Sequence, residues 1–146
     1  MNDPSQRTIF SDILEGKAPA TFVYRDETVS AFLDIQPVNP GHVLVVPNEP
    51  APSLGELEED VGAWMFRVGM RVAEALRESG LRCEGVNLFL ADGEAAGQEV
   101  FHVHLHVIPR YRGDGFGFRF GSGYDQLPER AALDDVGAAI RAAVQD

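Results

Sequence analysis

Residues 101–109 constrain the fold more than any other part of the chain, because histidines alternate there with aliphatic residues (F-H-V-H-L-H-V-I-P). Strict alternation predicts a half-buried β-strand, in which side chains at positions i, i+2 and i+4 share one face. We therefore expect His102, His104 and His106 to form a row on one face, while the aliphatic side chains pack into a core on the other. Such a row is suited to meeting an anion, to holding a metal ion or to acid–base chemistry.

Length and composition favour one soluble domain. The 146 residues are enough for a single core, and 45% hydrophobic content is typical of a globular protein. No apolar stretch is long enough to span a membrane, and the N-terminus lacks a signal-peptide pattern. The single cysteine, Cys83, excludes an internal disulfide and favours a reducing compartment. We therefore expect a cytoplasmic protein that does not bind membranes.

The charge of the chain limits its partners. A formal net charge of −11 argues against nucleic acid as a partner, since phosphate contacts need a basic face. A small anion would instead need local positive potential. The sequence offers the histidine row, the backbone N–H groups of glycine-rich turns and three arginines, Arg110, Arg112 and Arg119.

Helix and strand signals follow one another in a simple order. The predicted elements are a short helix at 7–16, strands at 21–25, 29–34 and 42–47, a long helix at 53–79, a strand at 86–90, the histidine strand, and a last helix at about 128–144. Glycines and aromatic residues at 111–123 indicate a mobile flap. This order predicts an α+β fold with a five-stranded, mainly antiparallel sheet, one long helix and one or two shorter helices. We expect a single domain over residues 1–146, with the motifs at about 8–114.

The long helix has two features of its own. Ser53 followed by Glu56 matches a capping box, which predicts that the helix begins there. Gly55, Gly62 and Gly69 recur every seven residues, although a mid-helix glycine costs about 1 kcal/mol relative to alanine. We therefore expect another element to approach this helix closely at the glycines.

The histidine row is open to two chemical interpretations. Three histidines can hold zinc, but His102 and His106 would lie roughly 13 Å apart along the strand, at about 3.3 Å per residue. No carboxylate lies in the row, so we expect no metal. Alternatively, an imidazole nitrogen attacks phosphorus while its other nitrogen is held as a donor, and flanking imidazoles stabilise the charge. The central residue, His104, is best placed to attack. A purely structural role for one or two of the histidines stays open.

These residues lie within a longer pattern that resembles the histidine-triad family. The matching stretches are residues 8–13, 31–37, 40–47 and 92–110, in the order the family has them. The resemblance covers about residues 8–114. It implies a protein that binds a small nucleotide and cleaves at the α-phosphorus in two steps, through a nucleotidyl-histidine. The ending Ile108-Pro109-Arg110, with Gly113-Asp114 after it, resembles the dinucleoside-polyphosphate hydrolases more than the phosphoramidases.

The resemblance implies a role for each histidine. His104 matches the nucleophile, and His42 matches a fourth histidine near it, which would orient His104 and help manage its proton. His106 matches the residue near the α-phosphate, and His102 matches a histidine bonded into the network.

It also implies how a nucleotide is held. Asp34 matches the acidic residue that accepts hydrogen bonds from the ribose hydroxyls, a role suited to two carboxylate oxygens. Gly97, Gln98 and Glu99 match a turn whose backbone and side chains contact the phosphates. An apolar slot for the base would be formed by residues that also read as ordinary core, namely Ile9, Phe10, Ile13, Phe32 and Ile35.

Some positions depart from the family pattern. Ala91 stands where relatives often carry an Asn or Gln that reaches the leaving group, which keeps open a nucleotide-binding regulatory protein with little turnover. Thr8 and Ser11 stand where some bacterial relatives carry a Cys-x-x-Cys pair that holds zinc, so neither a structural zinc nor a cofactor is expected. Relatives form homodimers by extending the sheet and packing the long helices together, and a homodimer is expected here.

Overall fold

A computed structural model describes residues 6–145 of the chain. Five strands form one sheet: β1 (Phe22–Arg25), β2 (Val29–Leu33), β3 (Val43–Pro47), β4 (Gly85–Leu90) and β5 (Leu105–Arg110). Their order is β1-β2-β3-β5-β4, and each neighbouring pair is antiparallel. A short helix, α1 (Ile9–Leu14), precedes the sheet, and a long helix, α2 (Glu59–Glu78), connects β3 to β4. The predicted α+β fold is confirmed.

Alternation along the central strands gives the sheet two different faces. On one face, buried aliphatic residues of β2, β3 and β5 pack with α2 around Met65 and Val68; they are Val29, Ala31, Val43, Val45, Leu105 and Val107. On the other face, Phe32, Leu44 and Val46 pack with Phe10 and Ile13 of α1. The odd-numbered residues of β5 thus face the long helix, as the histidine pattern predicts.

One glycine of the seven-residue repeat explains how closely α2 lies on the sheet. A Cβ atom at Gly69 would stand 2.8 Å from Leu105 Cδ2 and 3.3 Å from Leu88 Cδ2, so no larger residue fits without movement. At Gly62 a Cβ atom would meet Leu57 at an ordinary 3.4 Å, and Gly55 lies outside the helix. Close packing is therefore confirmed at Gly69 alone.

The start of the long helix differs from the prediction. Leu54–Glu56 form a separate 3₁₀ turn, Leu57 is extended, and α2 begins at Glu59. The Ser53 hydroxyl donates to the Glu56 carboxylate at 3.2 Å and caps no backbone amide. The Leu54 amide instead donates to Asp92 Oδ1 at 3.0 Å. The predicted capping box is wrong because the Glu56 amide donates to the backbone carbonyl of Ser53 at 3.2 Å, within the 3₁₀ turn, and not to its hydroxyl.

Contacts divide the chain into two compact units, one ending at Asp114 and one beginning at Gly115. The second unit contains α3 (Arg130–Ala143), inside the predicted range, and residues 115–129 form turns without helix or strand. The predicted flap begins too early, because Asp114 belongs to the first unit: its carboxylate accepts from Arg110 Nε at 2.6 Å and from the Tyr111 amide at 3.2 Å. Across residues 6–145, no helix combines the length and apolar character that crossing a bilayer requires.

Candidate functional site

A cavity of about 550 Å³ opens on the α1 face of the sheet. Two triad histidines, His104 and His106, line it together with Asp34. All five residues predicted to form the base slot line it as well, and Leu44 and Val100, which the sequence did not single out, complete its apolar wall. The cavity therefore brings imidazoles, a carboxylate and an apolar slot together in one place.

The three triad histidines are held by different backbone geometry. Strand β5 begins at Leu105, so only His106 lies within it, and His102 and His104 precede it in bends and irregular chain. The row still holds: the Phe10 ring meets both His102 and His104 edge-on, and the His104 and His106 ring centroids are 4.9 Å apart. The prediction of one continuous strand is wrong because the chain bends at His102 before pairing begins.

Hydrogen bonding fixes the tautomer of His104. Its Nδ1 lies 2.8 Å from the carbonyl oxygen of His102, and a carbonyl oxygen only accepts, so Nδ1 carries the proton. In the neutral ring, Nε2 then has a free lone pair. Because the His104 side chain also lines the cavity, this residue has the form that a nitrogen nucleophile requires.

A chain of two hydrogen bonds connects the Val38 amide to His42, and His42 to His106. The Val38 amide donates to His42 Nδ1 at 3.0 Å, so the proton of neutral His42 lies on Nε2. That nitrogen is 2.8 Å from His106 Nδ1 and donates to it. His106 therefore carries its own proton on Nε2. The sequence expectation placed His42 against His104, whereas the structure bonds it to His106, because β3 and β5 pair with Leu44 opposite His106.

Burial keeps all four imidazoles neutral. The pKa values of His42, His102 and His104 lie below the usual 6.5 because burial disfavours the charged ring. The pKa of His106 falls to about 4, through burial first and then through repulsion from His104 and His42. At neutral pH the site therefore offers lone pairs and N–H donors without a positive charge.

Asp34 and two residues of the 97–99 turn lie at the rim of the cavity that His104 and His106 line. Asp34 Oδ1 accepts from the Gln36 amide at 2.8 Å, and Oδ2 lies 3.7 Å from His42 Nε2. Gly97 and Glu99 line the cavity. The amide of Gln98 points inward instead: it accepts from Gly93 N–H and donates to the carbonyls of Pro52 and Val100. A side-chain contact from Gln98 to phosphate is therefore corrected to a structural role in closing the turn.

Asp34, His42 and His106 offer ligand atoms that lie within 4.8 Å of one another, which raises the question of a metal ion. The hydrogen bonds fit a metal poorly. His42 Nδ1 already accepts from Val38, so Nε2, the atom that faces the other two residues, carries a proton and cannot donate a lone pair. The cluster fits a hydrogen-bonded imidazole pair better, and the absence of a metal stays a prediction.

Thr8 and Ser11, which stand where some relatives carry zinc-binding cysteines, are engaged in hydrogen bonds to the backbone. Thr8 Oγ1 accepts from the Phe10 amide at 3.1 Å and Ser11 Oγ accepts from the Thr8 amide at 3.1 Å, so both hydroxyls cap α1. His102 donates from Nε2 to the Pro47 carbonyl at 2.8 Å, and its Nδ1 has no hydrogen-bond partner within residues 6–145. The two capping hydroxyls lack the thiolates that a structural zinc site prefers, and the absence of a structural zinc stays a prediction.

A buried hydrogen-bond network, which the sequence analysis did not predict, anchors the loop before β3. Asn39 donates to the Pro109 carbonyl and to Asp114 Oδ2, both at 2.9 Å, and the His42 amide donates to the Asn39 carbonyl. Arg110 binds Asp114 through two nitrogens and Asn87 through a third. Arg110 thus supports the loop that carries His42 and does not line the cavity, where the charge pattern had offered it as a cation.

Comparisons with known proteins agree with this geometry. The HIT-domain family model matches residues 15–113. The chain is 32% identical to the purine nucleoside phosphoramidase of Escherichia coli, over 71% of this chain and 87% of that one. A crystal structure of a HIT family protein from Bacillus anthracis superposes with a TM-score of 0.85 at 35% identity, over 99% of this chain and all of that one. A zinc-bound histidine triad family protein from Mycobacterium smegmatis is 40% identical, with a TM-score of 0.74 over 92% of this chain and 99% of that one. The chain therefore belongs to the HIT family, the histidine-triad family that its motif resembles.

Proposed function

We propose that this protein is a nucleotide hydrolase or transferase that cleaves at the α-phosphorus of an adenosine-type nucleotide, either a dinucleoside polyphosphate or a nucleoside phosphoramidate. The observation that carries the proposal is the fixed tautomer of His104, whose Nδ1 donates to the His102 carbonyl and whose Nε2 is left with a lone pair beside the cavity. The relationship to a purine nucleoside phosphoramidase supports a hydrolase of this kind.

The cavity has a place for each part of the nucleotide. The base enters the apolar slot between α1 and the sheet, and the ribose hydroxyls donate to Asp34, which lines the same cavity. The α-phosphate then lies by His104 and His106. His106 donates a hydrogen bond from Nε2 to a phosphate oxygen, because its Nδ1 already accepts a hydrogen bond from His42. This donor stabilises the negative charge that develops during attack.

The reaction proceeds in two balanced steps. A bond forms between His104 Nε2 and the α-phosphorus as the bond to the leaving group breaks, and the leaving group departs with that electron pair. An amine leaving group takes up a proton from water, whereas a phosphate departs as an anion. Water then attacks the phosphorus, the P–N bond to His104 breaks, and a proton returns to solution. The proton stays on His104 Nδ1 throughout, hydrogen-bonded to the His102 carbonyl, and that carbonyl oxygen stabilises the positive charge on the modified ring.

Replacing the nucleophile tests this proposal directly. His104→Ala should lower turnover by roughly 10⁴-fold or more while the nucleotide still binds, and wild-type protein quenched in alkaline denaturant, where the P–N bond is stable, should carry a nucleotidyl group on His104 in peptide mass spectrometry. Glu94→Gln, in the exposed turn outside the cavity, is the matched control and should turn over like wild type. An active His104→Ala protein would refute the assignment.

One observation favours a second function, a nucleotide-binding regulatory protein with little turnover. Ala91 is buried, with 4% exposure, and its methyl group can neither donate nor accept a hydrogen bond toward a leaving group. Tight nucleotide binding by wild-type protein, without a His104 adduct or product, would favour this alternative over the enzyme.

We also propose a homodimer in the cytoplasm. Strand β4 is an edge of the sheet, and unpaired edges invite pairing with another chain. Phe89 on β4 is 43% exposed, and Phe66 and Met70 on α2 are more than half exposed, so apolar surface lies on both elements. Light scattering after size exclusion should give about twice the mass of one chain, and Phe66→Glu should shift it toward the monomer. The cytoplasmic location rests on the lone cysteine.

A further inference from the structure

The charges around the cavity are unusual for a site that handles phosphate. Two charged residues line it, and both are acidic: Asp34, which the proposed function assigns to the ribose, and Glu99. No lysine or arginine among residues 6–145 lines this cavity, and burial holds the imidazoles neutral. A chain of several phosphates would therefore meet hydrogen-bond donors but no cation.

The nearby cations of the first unit are engaged elsewhere. Arg7 lines a second hollow next to the cavity, but its guanidinium donates to Glu15 at 2.8 and 3.0 Å and to Asp12 at 2.7 Å, so two carboxylates of α1 and its C-terminal end offset its charge. Arg110 is bound to Asp114 and Asn87. Neither guanidinium is available for an anionic leaving group without breaking these contacts.

Glu99 lies between two hollows. Besides the main cavity it lines a second hollow of about 450 Å³, and the two share Ile9, Glu99 and Val100. Glu99 is exposed, and no side chain within the described residues pairs with its carboxylate. A carboxylate accepts hydrogen bonds and attracts cations but cannot donate to a phosphate oxygen. Glu99 was predicted to contact the phosphates, but only its backbone N–H, and not its side chain, can donate a hydrogen bond to a phosphate oxygen.

We propose that Glu99 is a specificity-determining residue that selects leaving groups by charge, favouring a cationic amine in the second hollow and disfavouring an anionic phosphate chain. This inference rests on the proposed function, since it concerns the group released when His104 attacks. The preferred substrate is then a nucleoside phosphoramidate whose leaving amine carries a further positive charge. The P–N bond breaks toward the amine, which takes a proton from water as it leaves.

The test uses the full-length protein and three adenosine 5′-phosphoramidates. Their leaving alkylamines have equal length and end in an ammonium, a methyl or a carboxylate group, and diadenosine tetraphosphate is measured alongside. Wild type should show kcat/KM in the order ammonium, methyl, carboxylate, with about fivefold between successive members, as expected for one partly exposed charge pair. The readout is the ratio among substrates within one protein, so a general loss of activity does not affect it.

Charge substitutions should change that ratio. Glu99→Gln should bring the ammonium-to-carboxylate ratio close to one, and Glu99→Lys should invert it and improve the relative use of diadenosine tetraphosphate. Glu94→Gln, which removes an exposed carboxylate from the same turn without touching either hollow, should keep the wild-type ratio. As an independent measure, added salt should shrink the wild-type preference, because screening weakens exposed charge pairs.

Several outcomes would overturn the inference. Equal wild-type rates for the three phosphoramidates would do so, as would a ratio that is unchanged in Glu99→Gln, or a magnesium-dependent preference for the tetraphosphate that Glu99→Gln abolishes. If the Glu99 variants are too slow to measure, a salt-independent wild-type preference decides against it. Failure of the proposed function has a different signature, since wild type would then turn over none of the substrates and form no adduct on His104.

Discussion

The two faces of the sheet serve different purposes although they share the same strands. The face toward α2 carries the larger buried cluster, because aliphatic residues at alternate positions meet a twenty-residue helix that lies against Leu105 at Gly69; a hollow of about 260 Å³ remains near Val43, Val72 and Leu76. The face toward α1 is covered by a helix of six residues, which leaves a cavity where His104 and His106 are reached. The comparison shows how one alternating sequence serves both faces: Leu105 and Val107 belong to the core against α2, whereas His104 and His106 line the cavity.

The largest expected difference between the faces comes from shortening one buried side chain on each. Met65→Ala, on α2 in the core against the sheet, and Leu44→Ala, in the cavity wall, should each lower the free energy of unfolding by about 2–5 kcal/mol. Only Leu44→Ala should also raise KM, because Leu44 lines the cavity and Met65, in the α2 core, does not. Chemical denaturation and steady-state kinetics on the folded protein separate the two effects. An equal rise in KM for Met65→Ala would show that the faces are coupled.

Acid should lower the free energy of unfolding through the buried histidines on the cavity face of the sheet. The pKa of His106 is about 4 in the folded chain against roughly 6.5 in an unfolded one, so between these values the unfolded chain binds a proton that the folded chain does not. Stability is therefore complete above pH 6.5 and falls as the pH drops toward 4, by about 3 kcal/mol for this residue alone. His42, His102 and His104 act in the same direction. Melting temperatures from pH 8 to 4 measure the loss, and His106→Asn should reduce it; an unchanged slope would contradict this cause.

Two glycines on α2 offer a matched test of how closely the helix packs on the sheet. At Gly69 an added methyl would stand 2.8 Å from Leu105 Cδ2, so Gly69→Ala should destabilise the fold by about 1–2 kcal/mol despite the better helix propensity. At Gly62 the nearest contact would be an ordinary 3.4 Å, so Gly62→Ala should stabilise by up to about 1 kcal/mol. Urea midpoints of the two variants should move in opposite directions. A stabilised Gly69→Ala would mean that the helix has room to move away from the sheet.

The smallest effect concerns the backbone amide that sets the His42 tautomer. Val38→Pro removes the N–H that donates to His42 Nδ1, and it should lower kcat by roughly three- to tenfold, the factor that corresponds to one net hydrogen bond. KM should change little, because Val38 does not line the cavity. Val38→Ala keeps the amide and should behave like wild type. A matching loss in both variants would assign the effect to packing instead of to the amide.

The sequence predicted the parts of this molecule that depend on local pattern. Alternation around His104 correctly assigned Leu105 and Val107 to the core, and the apolar periodicity of residues 53–79 located the long helix to within six residues at its start. The resemblance to histidine-triad proteins predicted the site residues, namely those of the apolar slot, Asp34 and the triad. The fold brings all of them to one cavity except His102, which lies buried behind it.

The errors have a common physical cause, which is that they depend on partners far away in the chain. The long helix does not begin at Ser53, where the chain forms a separate 3₁₀ turn and the Leu54 amide binds Asp92, 38 residues away. His42 pairs with His106, 64 residues away, according to strand register. Asp114 belongs to the first compact unit, and not to the segment beyond it, because Asn39, 75 residues away, and Arg110 bind its carboxylate. Neither propensity nor spacing reports such long-range choices.

Helix α1 has a consequence for the stability of this side of the molecule. Six residues are too few to stay helical in water alone, so α1 depends on its Thr8 cap and on the packing of its own Phe10 and Ile13 against the sheet. Tertiary contacts, and not helix propensity, therefore hold this wall of the cavity in place. A ligand that filled the apolar part of the cavity would add to those contacts and would make the short helix more ordered.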